Sequence, residues 1–192
     1  MGYAKGMFNW LLFLAFYLPF QLAINPSEGI DLASGRVLII LIFFVWAAKS
    51  LKDKRFFIGT NFRNAALGSF LFLTAFSALV ARNMDWSERK LFFLLSVFPL
   101  YLVVSSLANS RKKIVQLSKS LVWGGLVAAI LGIAQFFLQF IIGLEATYQL
   151  WANYVIEPFL GRSFSESVLR NPSWLVGISG HTFLRATATF PD

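Results

Sequence analysis

The chain of 192 residues contains no cysteine, a single histidine and only 14% charged residues. The absence of cysteine excludes disulfide bonds and thiolate metal sites. Charge this sparse, beside 57% hydrophobic and 17% aromatic residues, is typical of a membrane protein and not of a soluble domain. The net charge of +8 does not indicate a nucleic-acid partner, because the basic residues cluster between long apolar runs.

The apolar runs predict an all-α, polytopic membrane protein with about five transmembrane helices. A helix needs about 20 apolar residues to cross roughly 30 Å of hydrocarbon. The runs that meet or approach this length define a bundle over residues 1–144, and the spans are expected at 7–24, 35–51, 65–81, 91–108 and 121–144. A signal peptide is the competing interpretation of the first run, but no small-residue cleavage site follows it.

The lysines and arginines between the spans predict the orientation. One side holds ten of them and the other holds four. The ten are Lys5, Lys49, Lys52, Lys54, Arg55, Arg63, Arg111, Lys112, Lys113 and Lys119, and the four are Arg36, Arg82, Arg89 and Lys90. The positive-inside rule therefore predicts a cytoplasmic N-terminus, and an odd number of spans places residues 145–192 outside.

The fifth run carries two glutamines, Gln135 and Gln139, on one helical face. Such a pair can line a substrate groove. An interhelical hydrogen bond is the commoner use of paired glutamines in a bundle, and we favour it.

The external segment is expected to contain short interfacial helices. Residues 145–160 place Tyr148, Trp151, Val155 and Phe159 at steps of three or four, which predicts an apolar face lying along the bilayer surface. A second short helix is expected at 162–170, after Gly161.

Three arginines of the external segment, Arg162, Arg170 and Arg185, are candidates for binding a phosphate or diphosphate at headgroup depth. Anchoring at the interface is the alternative, and it is favoured for Arg162 and Arg170. The single histidine, His181, follows Gly180 in a predicted loop, where a structural or solvated role is commoner than a catalytic one.

The segment ends in Arg-Ala-Thr-Ala-Thr-Phe-Pro-Asp over residues 185–192. Five spans followed by this element resemble the start of the O-antigen ligase and O-antigen polymerase family, whose shared domain opens with an R-A-T-G-T-F-x-x-P-N-like element. Arg185, Thr187, Thr189 and Phe190 match it, whereas Ala188 replaces the usual glycine. The sequence stops before the Pro-Asn pair, so we expect it to be an incomplete N-terminal part that is inactive alone.

The resemblance implies a metal-independent glycosyltransferase without a cofactor, in the bacterial inner membrane. Such an enzyme transfers a glycan from undecaprenyl diphosphate to lipid A core or to another glycan. By this resemblance Arg185 would meet the diphosphate, the acceptor-activating base would lie beyond this sequence, and His181 matches no family position. The alternative is a non-enzymatic membrane protein, such as half of a transporter or an envelope assembly subunit. No ionisable residue lies in the middle of any predicted span, which disfavours a coupled transporter.

Overall fold

The computed structural model describes residues 2–20, 22–27, 30–53, 62–170 and 174–189. Most of these residues are helical. The helices are α1 (Gly2–Tyr17), α2 (Ser34–Lys52), α3 (Phe62–Leu79), α4 (Met84–Leu107), α5 (Arg111–Ile142), α6 (Leu144–Leu150), α7 (Glu157–Leu160) and α8 (Arg162–Arg170). A 3₁₀ turn, Leu18–Phe20, follows α1, and a π-helical stretch, Trp151–Ile156, joins α6 to α7.

Among the described residues, four helices, α2 to α5, are long and apolar enough to cross a membrane. The run predicted as the first span over 7–24 forms a shorter helix that ends at Tyr17. Pro19 explains the early end, because a proline lacks the amide hydrogen and its ring clashes with the preceding helical turn. The predicted span 7–24 would have placed Pro19 inside the membrane helix. In the structure Pro19 lies in the 3₁₀ turn that follows α1.

Two antiparallel hairpins depart from the all-helical prediction. In the first, β1 (Ala23–Ser27) pairs with β2 (Ile30–Ala33), and the register shifts between Ile24 and Ser27. This irregularity surrounds Pro26, which cannot donate a ladder hydrogen bond. In the second, β3 (Leu175–Ile178) pairs in regular register with β4 (His181–Leu184).

The second hairpin turns through Ser179 and Gly180, whose φ angles are 51° and 81°. Two consecutive residues with positive φ form a type I′ turn, which matches the twist of paired strands. Residues 175–184 were predicted as part of a loop. The signal that identifies the hairpin is the Ser-Gly pair between two short apolar stretches.

The bundle core joins α1, α2 and α4. Its buried members are Met7, Leu11, Leu14, Ile39, Ile42, Trp46, Val103 and Leu107. Polar contacts fix both ends of this group of helices. Trp46 Nε1 donates to Ser106 Oγ at 3.3 Å at one end, and the Tyr17 and Ser34 hydroxyls are 2.6 Å apart at the other. The short α1 is therefore a central helix of the bundle.

Candidate functional site

One face of α5 carries five buried positions with helical spacing: Gly124, Ala128, Gly132, Gln135 and Gln139. The N-terminal half of this face receives α1. A Cβ atom at Gly124 would overlap the carbonyl oxygen of Phe16, so glycine is required for this approach. The C-terminal half of the face receives residues 184–189, which we call the docked segment.

Gln139 binds the first residue of the docked segment. Its Oε1 accepts a hydrogen bond from the Leu184 amide at 2.8 Å, and its Nε2 lies 3.4 Å from the Leu184 carbonyl oxygen. The side-chain amide thus pairs with both backbone polar groups of Leu184, as the backbone of a neighbouring strand would. Gln139 Nε2 also donates to the Phe136 carbonyl at 2.9 Å.

Gln135 makes four hydrogen bonds to the docked segment. Its Oε1 accepts from the amides of Thr187 and Ala188 at 2.9 and 2.8 Å. Its Nε2 donates to the Arg185 carbonyl at 3.2 Å and to Thr187 Oγ1 at 3.3 Å. A primary amide has two donor hydrogens and two acceptor lone pairs, so these contacts use its full capacity. Gln135 is completely buried.

Other elements hold the opposite side of the docked segment. Trp151 Nε1 donates to the Ala188 carbonyl at 3.0 Å, and Thr189 Oγ1 donates to the Pro19 carbonyl at 2.7 Å. The Arg185 amide donates to the Trp174 carbonyl at 2.8 Å. The segment also approaches Gly132 closely, since a Cβ there would lie 3.4 Å from the Ala188 Cβ, in ordinary van der Waals contact. The segment is therefore fixed from three directions.

The Arg185 side chain is exposed although both backbone polar groups of the residue are bonded. After Arg185 and the exposed Ala186, the next three residues, Thr187, Ala188 and Thr189, are buried. This pattern presents the guanidinium at the surface from a rigid main chain. A fixed main chain suits a binding residue, because the backbone loses little further conformational entropy when the side chain meets a ligand.

Arg162 and Arg170, the other two candidate arginines, occupy opposite ends of α8. They are separated by eight residues, which corresponds to about 12 Å along the helix axis. Each pairs with a glutamate: Arg162 Nε lies 3.4 Å from Glu157 Oε1, and Arg170 Nη2 lies 3.8 Å from Glu166 Oε2. These exposed pairs are typical surface ion pairs.

His181 is exposed at the first position of β4, directly after the type I′ turn. Its ring centroid lies 6.4 Å from that of Phe183. This position fits the structural or solvated role that we favour from the sequence.

The apolar face predicted to lie along the bilayer is instead covered by the chain itself. Tyr148 and Trp151 are buried with Ile156, Trp174 and Leu184, under the second hairpin. Val155 and Phe159, the other two residues of the predicted face, are only partly buried, and helical periodicity alone does not show which surface covers such a face. Burial raises the pKa of the Tyr148 phenol, and the nearby Glu145 carboxylate adds to this effect.

The π-helical stretch shapes this covered region. Such stretches are rare and widen the helix locally. Here the stretch places Trp151 under Ala188, and it leaves the Ala152 carbonyl accessible to Ser165 of α8, whose hydroxyl donates to it at 2.6 Å. The region 144–170 thus forms a folded support for the docked segment.

Sequence reasoning located Gln135 and Gln139 on one face but assigned them the wrong partner. They bind non-helical backbone and not another helix. The sequence contains one feature that could have indicated this partner. A polar pair lies near the end of a span, and a polar segment without helical pattern follows about 50 residues later.

Comparison of this chain with protein-family models, with curated proteins and with solved structures finds no match.

Proposed function

We propose that this chain is part of a membrane glycosyltransferase of the O-antigen ligase or polymerase type. It would transfer a glycan from undecaprenyl diphosphate to lipid A core or another glycan acceptor, at the outer face of the bacterial inner membrane. The observation that carries the proposal is the presentation of Arg185. Its main chain is fixed at both polar groups, while its side chain is exposed.

The chemistry of such a transfer needs a fixed cation. When the bond to the anomeric carbon breaks, the leaving diphosphate gains negative charge, and without a metal ion a protein cation must stabilise it. Arginine suits this role better than lysine, since its planar fork can bind two oxygens and stays charged. The fixed main chain adds to the effect, because it limits the reorganisation that the cation needs during the reaction to the side chain.

The backbone of the docked segment agrees with the resemblance noted in the sequence. Ala188 has a φ of 52°, in the left-handed region that favours glycine. The resembled element carries glycine at this position. The Thr187 and Thr189 side chains, which match the element, bind Gln135 and Pro19 within the structure.

The orientation follows from the positive-inside rule, with the N-terminus cytoplasmic and residues 145–192 external. Cysteine scanning tests it with exposed serines at the two ends of the bundle. Ser179→Cys should react with an impermeant thiol reagent in intact cells, whereas Ser118→Cys should react only after the membrane is permeabilised. The opposite labelling pattern would place the docked segment in the cytoplasm and exclude transfer at the outer face.

The activity test uses the protein as the cell makes it, in cells that lack the native enzyme. Arg185→Ala should lower glycan transfer by at least tenfold at normal membrane levels, because each 1.36 kcal/mol of lost transition-state stabilisation is about tenfold in rate. Arg185→Lys should be intermediate, since lysine keeps the charge but loses the bidentate fork. The matched controls are Arg162→Ala and Arg170→Ala, which should remain close to wild type.

Full transfer by Arg185→Ala would remove the proposed role of this residue. If the wild-type protein supports no transfer to either acceptor, the result would favour the non-enzymatic alternative, which is a transporter half or an assembly subunit.

A further inference from the structure

The first nine residues of α5 form an exposed basic surface at the end of the bundle opposite to the docked segment. Arg111, Lys112 and Lys119 line a shallow depression of about 520 Å³, together with Val115 and Gln116. All five residues are exposed, and all lie within the first nine residues of α5. Within the described part of the chain, no carboxylate lies within salt-bridge distance of the three bases.

Several contacts show that other basic residues gather at the same end. Lys113 Nζ donates to the Leu107 carbonyl at the end of α4 and lies over the Phe8 ring. Trp46, near the end of α2, contacts Ser106. The last turn of α2 therefore also lies here, and it contributes Lys49 and Lys52. Lys113 binds groups within the bundle, whereas Arg111, Lys112 and Lys119 are exposed on its surface.

The length of α5 places these bases at the membrane surface. Its 32 residues extend about 48 Å, whereas the hydrocarbon core is about 30 Å thick. The apolar part, residues 121–142, extends about 33 Å and fills the hydrocarbon. Residues 111–120 consequently project into the headgroup region.

A tryptophan marks the boundary on the same face. Trp123 is one helical turn after Lys119 and is 61% exposed. Tryptophan concentrates at the junction of headgroups and acyl chains. The order along this face is therefore bases, then an interfacial ring, then apolar residues, which matches the order of phosphate, glycerol and acyl chain in a phospholipid.

We propose that Arg111, Lys112 and Lys119 bind the phosphate headgroup of an anionic phospholipid, with Trp123 against the upper part of its acyl chains. Charge complementarity selects an anionic lipid over a zwitterionic one, since each basic residue near the surface adds to the attraction. The Trp123 ring and the apolar residues that follow it on α5 favour a lipid, which has acyl chains, over free phosphate. The site does not depend on the proposed transfer reaction.

The test uses purified protein in phosphatidylcholine bilayers that contain phosphatidylglycerol. Either lipid is supplied with brominated acyl chains, which quench tryptophan fluorescence on contact. Subtracting the signal of Trp123→Phe isolates Trp123 from the other five tryptophans. The relative association constant of phosphatidylglycerol over phosphatidylcholine at Trp123 is expected to be at least roughly five-fold, which is the contribution of a single basic residue near the surface.

The variant Arg111→Gln/Lys112→Gln/Lys119→Gln should lower this preference to about one. The matched control is Arg82→Gln/Arg89→Gln/Lys90→Gln, which removes three exposed bases at the other end, where Asp85 and Glu88 accompany them. It should keep the preference. If the first triple variant does not elute as a single folded species, Lys119→Gln alone should show a partial loss.

Equal association of the two lipids with wild type would overturn the proposal, as would an equal loss in both triple variants or no loss in Lys119→Gln. Inorganic phosphate is added at constant ionic strength. Displacement of the lipid by phosphate beyond that by chloride would assign the site to a free anion and overturn the lipid assignment.

Discussion

The two halves of the buried face of α5 meet different kinds of backbone, and their residues differ accordingly. The first half, at Gly124 and Ala128, receives α1, whose backbone groups are already bonded within the helix. Small residues suffice there, since only close approach is needed. The second half, at Gln135 and Gln139, receives the docked segment, which is not helical and begins at the last residue of β4. Its backbone groups need partners, because buried unpaired groups are costly.

This difference between the two halves explains why a polar pair can occur near the end of an apolar helix. Irregular backbone at or near membrane depth is tolerated only where the protein satisfies its polar groups. Gln135 and Gln139 supply partners for both backbone polar groups of Leu184, for the Arg185 carbonyl, and for the amides of Thr187 and Ala188. The same contacts that make the segment tolerable also fix the main chain of Arg185.

The largest effect is expected from Gln135→Leu, which keeps the volume but removes all four hydrogen bonds. Two amides and one carbonyl of the docked segment would lose their partner, at about 1–3 kcal/mol each when buried. The segment should therefore open, and trypsin should cleave after Arg185 at least tenfold faster, since 1.4 kcal/mol is about tenfold in the open population. Intact-mass analysis over a time course measures the cleavage.

Cleavage after the exposed Arg162 and Arg170 provides the internal control and should not change. Gln139→Leu should have a smaller effect than Gln135→Leu because it removes fewer contacts. If the rate of cleavage after Arg185 is unchanged in Gln135→Leu, the second half of the face does not hold the docked segment by hydrogen bonds, and the difference between the two halves is not supported.

Gly124→Ala tests the half that packs against α1. The added methyl overlaps the Phe16 carbonyl, and overpacking of this kind costs about 1–3 kcal/mol. The matched control is the neighbouring Gly125→Ala. No atom lies within 4 Å of its Cβ, so it should be neutral or stabilising by up to about 1 kcal/mol. Thermal unfolding midpoints in detergent compare the two variants, and equal midpoints would remove the requirement for glycine at 124.

The smallest effect is expected at Ala188. Glycine would relieve about 1–2 kcal/mol of left-handed strain but add flexibility to the unfolded chain, which leaves a net gain below about 1 kcal/mol. Ala188→Gly should therefore slow the cleavage at Arg185 slightly. Ala188→Val should accelerate it, because a β-branched residue strongly disfavours this conformation. Faster cleavage of the glycine variant than of wild type would show that the φ of 52° is not limiting.

The helices of the bundle are predictable from the sequence because each apolar run carries its own signal. The predicted run 35–51 lies within α2, and α3 covers the predicted run 65–81 as far as Leu79, while α5 begins ten residues before its apolar run at 121. The early end of α1 was not predicted. Proline is compatible with a membrane helix when a neighbour satisfies the freed carbonyl, and the sequence does not show whether one does.

The site is less predictable because its contacts join distant parts of the chain. Thr189 binds Pro19, 170 positions earlier, and Gln135 binds residues about 50 positions later. The sequence shows that Gln135 and Gln139 share a face, but not what this face meets. The exposure of Arg185 likewise depends on the burial of Thr187 and Ala188, which only the folded segment defines.

Backbone hydrogen exchange tests the central claim most directly, namely that Gln135 supplies the backbone partners which hold the docked segment and thereby present Arg185. In wild type the amides of Thr187 and Ala188 should exchange slowly, because both are buried and donate to Gln135 Oε1. In Gln135→Leu they should exchange far faster, while amides within α5 remain protected. Fast exchange of both amides in wild type, or unchanged slow exchange in Gln135→Leu, would contradict the account.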